Sequence, residues 1–371
     1  MQNTSDRKDR LPENRLKKAR RKKVLTIILA LVLSLIILFT TAFFIAFRHF
    51  YNKTNHVPDN DIAVDTTTFT PEEELPEEAE IVTLAPEEEQ SLIEEVTLTV
   101  EELDEEELSG VYNLLLIGVD RRDRSWNGNS DAMILITINH EQKKIFMTSF
   151  MRDLYANIEG IGVRKLNNAY AVGGGPLLVN TLTSNYGVRI DNYASVDFLD
   201  MVQIIDICGG VEIFVRQEEI QYVNGYLDAM NRSQDIYYRE SFIPEDSPGG
   251  TFNLNGRQAL AYSRIRVIGY DFERTERQRR VLQALIKKAR TMNVFQLMSL
   301  ADSVFPLVTH NISSSDTLKL MTDLPSILSY EVVELRIPFG SEYRSQNEIL
   351  VPLDINDTVT KLRNIIYAKA D

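Results

Sequence analysis

Between Tyr262 and Arg280 the chain reads YSRIRVIGYDFERTERQRR, which sets six arginines, one glutamine and Asp271 within nineteen residues. Guanidinium groups at this density call for an anion, because each planar fork donates paired hydrogen bonds that match a phosphate or carboxylate. Read as an extended stretch, Ser263 to Val267 sends Arg264 and Arg266 to one face, where they act together. From Thr275 onward, apolar residues at Val281, Leu282, Leu285 and Ile286 follow the spacing of a helix that buries one stripe. At about 100° per residue, Arg274, Arg277 and Gln278 fall on that stripe, while Glu276, Arg279 and Arg280 point away. A helix N-terminus already attracts anions through its free N–H groups and dipole, so inward arginines there make a phosphate or pyrophosphate site. The plainer alternative is a solvated charged face. The inward phase of Arg274 and Gln278 argues against it.

Other candidate groups are spread along the chain. Asp120 closes the apolar run VYNLLLIGV, and Asp131 opens DAMILITI after the loop RRDRSWNGNS. Ligands of open α/β sheets bind outside the carboxyl ends of the strands. Two carboxylates brought there suit magnesium, a hard cation that completes its shell with phosphate and water; strand-end capping is the simpler alternative. Arg152 and Asp153 follow the third apolar run in SFMRDLYANI, and Lys165 precedes a helix start at Asn167, where an ammonium can hold a phosphate as a point charge. Gly173 to Pro176 lacks the lysine and serine of a nucleotide-binding loop and reads as a turn. His49 and His56 flank an apolar segment, and His140 and His310 stand alone, so zinc hydrolysis and a Ser–His–Asp triad are poor fits. Arginine, aspartate and a divalent cation are the equipment of phosphoryl transfer, where positioning and charge neutralisation supply most of the catalysis.

The elements that must position these groups alternate between strand and helix. Val111 to Val119 reads as a buried strand, and Asp131 to Ile138 with Lys144 to Phe150 as a hairpin. Asn167 to Val172 and Pro176 to Tyr186 read as helices, the second stopped by Gly187. Val188 to Val196 is a strand, Asp197 to Ile207 an amphipathic helix closed by Gly209 and Gly210, and Val211 to Val215 another strand. Helices at Asp316 to Leu328 and Asp357 to Tyr367 flank a strand at Val332 to Ile337. The order predicts a single α/β domain with a central mixed sheet covered by helices on both faces.

Composition divides the 371 residues into blocks. Residues 1–23 carry ten Lys/Arg against three acids, and residues 24–47 carry no charge. A run of that length is enough to span a bilayer of about 30 Å. No small-residue cleavage site marks it as a signal peptide. Basic residues before the span place the N-terminus in the cytoplasm and the rest outside. Residues 48–108 read as a disordered acidic tether: Thr54 to Leu108 holds twenty Asp/Glu, no Lys or Arg, and four prolines. A calcium site in that run lacks the spacing of a known loop. Residues 109–371 carry 28 basic against 31 acidic residues, so most of the formal charge of −14 comes from the tether. Cys208 is the only cysteine, which rules out an internal disulfide and a cysteine-based zinc site. In its apolar run it reads as a small core residue.

Eight segments, LLLIGVDRR, NSDAMILITIN, SFMRDLY, VRKLNNAY, IDNYASVDF, GGVEI, LNGRQALAYSRIR and DFERTERQRRVL, occur in order over about residues 110–290 and together resemble the LytR-CpsA-Psr (LCP) family of cell-wall proteins. The resemblance implies a magnesium-dependent phosphotransferase of the Gram-positive envelope, single-pass in the cell membrane. It would move a wall teichoic acid or capsular polysaccharide from an undecaprenyl-pyrophosphate carrier to the C6 hydroxyl of N-acetylmuramic acid in peptidoglycan. Carried over by position, Asp120 and Asp131 look like the magnesium ligands. Arg152, Lys165, Arg264, Arg266, Arg274 and Gln278, with Arg121 and Arg277, look like the pyrophosphate clamp, and Asp153 or Asp271 like the base that takes the sugar hydroxyl proton. The family's prenyl chain lies in an apolar tunnel that the sequence does not locate. Met151 stands where the family often has proline, Glu273 where it has glycine and Asn168 where it has histidine. Those changes bear on substrate preference more than on activity.

Two other functions use the same residues. A lipid-pyrophosphate hydrolase would use water as acceptor, and a binding module would hold anionic lipid-linked glycans without turnover. Nucleic acid is a poor partner, because the topology puts the arginines outside the cell.

Overall fold

The computed structural model describes residues 84–99, 103–121, 126–233 and 242–369, together with 51–58 and scattered positions from 41 to 49. The chain divides into units Met1–Lys53 and Thr54–Asp371, and the fold described is that of the second. The expected span at 24–47 lies almost wholly outside the described residues. Among these, no helix is long and apolar enough to cross a membrane.

A seven-stranded sheet runs in the order β1 (Asn55–His56), β10 (Thr309–His310), β7 (Asn192–Asp197), β2 (Val111–Asp120), β3 (Asn129–Asn139), β4 (Lys144–Phe150), β11 (Glu331–Ile337). It is mixed, as expected: β2 pairs antiparallel with β3 and parallel with β7, and β11 runs parallel to β4. The hairpin between β3 and β4 turns at the predicted residues. Three two-stranded ribbons stand apart: β5 (Tyr155–Ile158) with β6 (Gly162–Lys165), β8 (Val211–Arg216) with β9 (Gly249–Leu254), and β12 (Tyr343–Gln346) with β13 (Ile349–Pro352).

Because side chains alternate across a strand, the central strands feed two cores. Leu115, Ile117, Met133, Leu135 and Phe146 pack under α1 (Pro86–Glu95), α2 (Asn167–Tyr186) and α9 (Ile355–Ile366). Ile134, Ile138, Ile145 and Met147 pack on the other face, against α6 (Tyr270–Arg290) and α8 (Ser314–Ile327). A third core joins α3 (Phe198–Ile207), α4 (Gln217–Ser233) and α5 (Gly256–Ser263) to β8, β9 and α6. The two helices read at Asn167 and Pro176 are continuous as α2 but broken at Gly173 and Gly174, whose backbone is not helical, and Gly187 ends the helix in the left-handed conformation.

The tether is corrected in part. Leu84, Leu92 and Val96 are buried in the main core, and Glu89 accepts the Val163 amide at 2.7 Å, so α1 folds with the domain despite its acids. Asn55 and His56 likewise join the sheet as its edge strand. Ser263 to Val267 is also not a strand. It is the end of α5 and the turn that leads into α6, and α6 begins at Tyr270, five residues earlier than its apolar stripe indicates. Strand β7 starts later than read, at Asn192, and β8 pairs with β9 outside the main sheet.

Candidate active site

The chemistry-bearing residues meet where strand ends β2 and β4, the start of β3 and the corner between α5 and α6 converge around a cavity of about 250 Å³. Its wall includes Asp120, Asp131, Arg121, Arg152, Arg264, Arg266, Arg274 and Gln278. Five arginines against two aspartates leave the wall strongly cationic.

Asp131 is the hub. The β2–β3 register shifts between Gly118, which faces Ala132, and Val119, which faces Ser130, leaving Asp131 as the extra residue of a bulge. A bulge re-aims a side chain. The Asp131 carboxylate accepts from Arg152 Nη1 at 3.3 Å, Arg266 Nη2 at 3.0 Å and Arg274 Nη1 at 3.1 Å, and its backbone oxygen accepts from Gln278 Nε2 at 3.3 Å. Burial alone would raise its pKa, but Arg274, Arg152 and Arg266 outweigh it and hold the carboxyl below its ordinary range. Arg274 is 2% exposed; its Nε is paired with Asp271 at 3.0 Å, while its Nη2 makes no hydrogen bond. Its pKa is lowered, first by burial. A buried guanidinium with a donor group to spare beside a cavity is prepared for an anion.

The corner is fixed from behind. Asn255 caps α5 in a capping box with Gln258. Gly269 then takes φ 72°, where an added Cβ would lie 2.2 Å from the Glu273 side chain. Arg277 donates to Ile265 O at 3.0 Å, to Ile268 O at 3.2 Å and to Glu219 Oε1 at 2.9 Å. Together these hold the turn that carries Arg264 and Arg266 on either side of buried Ile265. Arg264 reaches Asp120 at 3.2 Å and stacks over the Phe198 ring at 5.3 Å. Arg121 pairs with Asp197, the N-cap of α3, at 3.3 Å.

Four predicted site residues do not line the cavity. Arg277 is a structural tie, and its fully buried partner Glu219 shows why it cannot turn outward. Lys165 is held by Glu348 at 2.9 Å and lies 3.7 Å from Asp153. Asp271 contacts Arg274 at 3.0 Å, Arg266 at 3.5 Å and Arg152 at 3.7 Å, orienting three wall arginines. Asp153 lies beside Asp271, and burial followed by that neighbour pushes it up to about 6 in spite of Arg152. Asp271 is itself lowered, since Arg274, Asp153 and Arg152 outweigh its burial. Arg279, read as outward, is buried against Glu334 and Ser149.

The wall also includes Trp126, Asn129, Asn167, Phe198, Tyr226 and Ser263, which were not singled out from sequence. Trp126, the only tryptophan, sits in the loop between the two aspartates, a signal that was available. A second, apolar cavity of about 210 Å³ lies between the sheet and α3, α5 and α6, and shares Phe198, Ser263 and Gln278 with the first. Small residues clear its floor: Gly118, Ala132 and Ala194 sit on neighbouring strands, and a Cβ at Gly118 would come within 3.0 Å of Ala132.

An arginine-walled cavity on a mixed sheet thus adjoins an apolar one, and the sequence that builds them matches a known family. Residues 80–364 fit the profile of the LytR_cpsA_psr family. The chain belongs to the LytR-CpsA-Psr family. The match takes in Leu84 and the helix α1 that packs in the main core. Biofilm regulatory protein A of Streptococcus mutans is 31% identical over 232 residues, 59% of this chain and 53% of that protein. The polyisoprenyl-teichoic acid–peptidoglycan teichoic acid transferase TagU of Enterococcus faecalis is 32% identical over 221 residues, 58% of this chain and 66% of that protein. The chain thus spans between half and two thirds of these relatives. Among solved structures, TagT bound to LIIa-WTA aligns with TM-score 0.54 at 25% identity, covering 73% of this chain and 97% of that one.

Proposed function

We propose that this LCP protein transfers a glycopolymer, of the teichoic acid or capsular kind, from an undecaprenyl-pyrophosphate carrier to the C6 hydroxyl of N-acetylmuramic acid in peptidoglycan. One observation carries the reading: a cavity walled by five arginines shares three wall residues with an apolar cavity of similar size. A ligand that fits both has a polyanionic head next to a hydrocarbon chain, which describes a prenyl pyrophosphate. Transferases of teichoic acid among the relatives support the same substrate class.

In this reading Arg152, Arg264, Arg266 and Arg274 hold the pyrophosphate and stabilise the charge that builds on its oxygens. The sugar hydroxyl attacks the phosphorus nearer the glycan. The bond from that phosphorus to the bridging oxygen breaks, and prenyl monophosphate leaves. Asp153, raised to about 6, has the basicity to take the hydroxyl proton near neutral pH, while Asp271 stays ionised among its arginines. Neither lines the cavity, so the proton reaches Asp153 after the substrate is seated or through a water.

The donor set fits magnesium. Asp120 and Asp131 line one cavity with Asn167, whose Oδ1 is buried without a hydrogen bond, and all three offer hard oxygen. No cluster of three or more His, Cys, Asp or Glu occurs among the described residues, so phosphate and water would complete the shell. Such an ion would neutralise phosphate charge. Residues 24–47 anchor the protein as a single span, with the N-terminus in the cytoplasm and the catalytic domain outside the cell.

The test incubates the full chain with magnesium, a lipid-pyrophosphate glycan and a peptidoglycan oligomer. A phosphodiester-linked conjugate appearing together with prenyl monophosphate supports transfer. Prenyl monophosphate without conjugate would favour the hydrolase, and an intact donor would favour a binding module.

A further inference from the structure

One apolar helix of this fold adds nothing to its three cores. In α7 (Val294–Val304), VFQLMSLADSV, Asp302 is the only charged residue, and no described side chain is buried. Phe295 and Met298, three apart and so on one face, are 84% and 38% exposed. Helix α3, on which α7 packs, leaves Leu199 and Ile207 exposed as well. A short helix in water owes its stability to packing rather than to propensity. An apolar face left open in this way marks an interaction surface.

Three observations say what covers it. Lys287 and Lys288 lie in the last turn of α6, where Lys288 donates to Gly210 O at 2.8 Å just after α3 and Lys287 stays exposed 3.4 Å from Glu212, so a cationic turn precedes α7. The 3₁₀ turn Phe305–Leu307 after α7 packs against β1, and β1 begins eight residues beyond Phe47, the last residue of the charge-free run. Eight residues reach at most roughly 27 Å, so a bilayer that holds residues 24–47 lies within that distance of β1. The apolar cavity is also bounded at this corner, by Met201 and Ile205 of α3 and by Val308 after the turn.

We propose that α7 lies in the outer headgroup layer of the membrane, with Phe295 and Met298 inserted and the turn at Lys287 and Lys288 against anionic headgroups. The α3 wall of the apolar cavity then faces lipid, and the prenyl chain enters from the bilayer beside it. The inference rests on the reading of residues 24–47 as a span and of the joined cavities as a prenyl-pyrophosphate site.

The experiment uses the full chain in vesicles of phosphatidylcholine and phosphatidylglycerol. Cys208→Ser removes the native thiol, and a nitroxide is attached at Phe295→Cys, Met298→Cys or Thr360→Cys. Thr360 is exposed on α9, which packs on the face of the sheet opposite α6. Dissolved oxygen should relax the labels at 295 and 298 more strongly than a water-soluble nickel chelate does, with the reverse at 360. Labels at 295 and 298 as water-exposed as that at 360 overturn the proposal, as does dipolar broadening between labels, the signature of a second copy covering the face. This readout needs no turnover: inserted labels in a protein that transfers nothing would leave the membrane surface standing and the enzymatic reading refuted. As a functional check, Phe295→Asp with Met298→Asp should slow a long-chain prenyl pyrophosphate donor in vesicles about tenfold while sparing a short, detergent-soluble donor; full activity on both donors contradicts the proposal.

Discussion

Arg264 is the wall arginine best suited to a functional test, because it is partly exposed and its loss leaves no buried partner stranded. Arg264→Ala should keep the melting temperature and lower transfer by about 10²–10³, the usual effect of removing one preorganised donor to developing charge; steady-state rates with thermal melts check both halves. Asp131→Asn is expected to act on folding. It removes the carboxylate that, with Asp271, is shared by three arginines, one of them buried, and breaking a buried ion pair costs about 3–5 kcal/mol. Thermal unfolding should show a drop of many degrees. Asp153 sets a pH signature. Its folded pKa lies above the ordinary carboxylate value, so the protonated form is favoured in the folded state, and stability declines as pH rises towards and through about 6. As the base, it should give a rate that climbs with pH up to about 6 and then levels, a limb that Asp153→Asn abolishes. The arginines and aspartates were legible in the sequence because charged residues inside apolar runs stand out. The division of labour among them was not, since Arg277 and Arg274 share a helix face and only the burial of Glu219 decides that Arg277 serves the turn.

At the scale of elements, the bulge in β3, the α5–α6 turn and the cleared floor of the sheet make the site. Filling that floor separates its two cavities experimentally. Ala132→Leu should weaken binding of a long prenyl pyrophosphate at least about tenfold, or 1.4 kcal/mol, and leave inorganic pyrophosphate unaffected; isothermal titration of both ligands measures this. The strands and most helices were legible from apolar period and glycine stops. The apolar cavity was not, because Gly118, Ala132 and Ala194 make a floor only once β2, β3 and β7 are placed side by side. Helix α1 was hidden by its charge. Its acids face solvent or partners such as Arg344, which meets Glu95 at 2.5 Å, while a few apolar residues, Leu92 among them, do the packing. The turn from Arg264 to Gly269 looked extended because two arginines two apart also fit a strand, and nothing in that pattern announces the positive φ of Gly269 and Tyr270.

In the whole molecule a cationic cavity and an apolar cavity lie side by side in one domain, which follows a proposed membrane span in the chain. That one ligand occupies both cavities is the central claim. The most direct measurement compares the affinity of the full chain for a prenyl pyrophosphate with its affinities for the matching prenyl monophosphate and for inorganic pyrophosphate. If both cavities hold one ligand, the prenyl pyrophosphate binds at least about 10²-fold more tightly than inorganic pyrophosphate, a difference of about 2.7 kcal/mol, and clearly more tightly than the monophosphate. Equal affinity for prenyl and inorganic pyrophosphate, or for the two lipids, would contradict it.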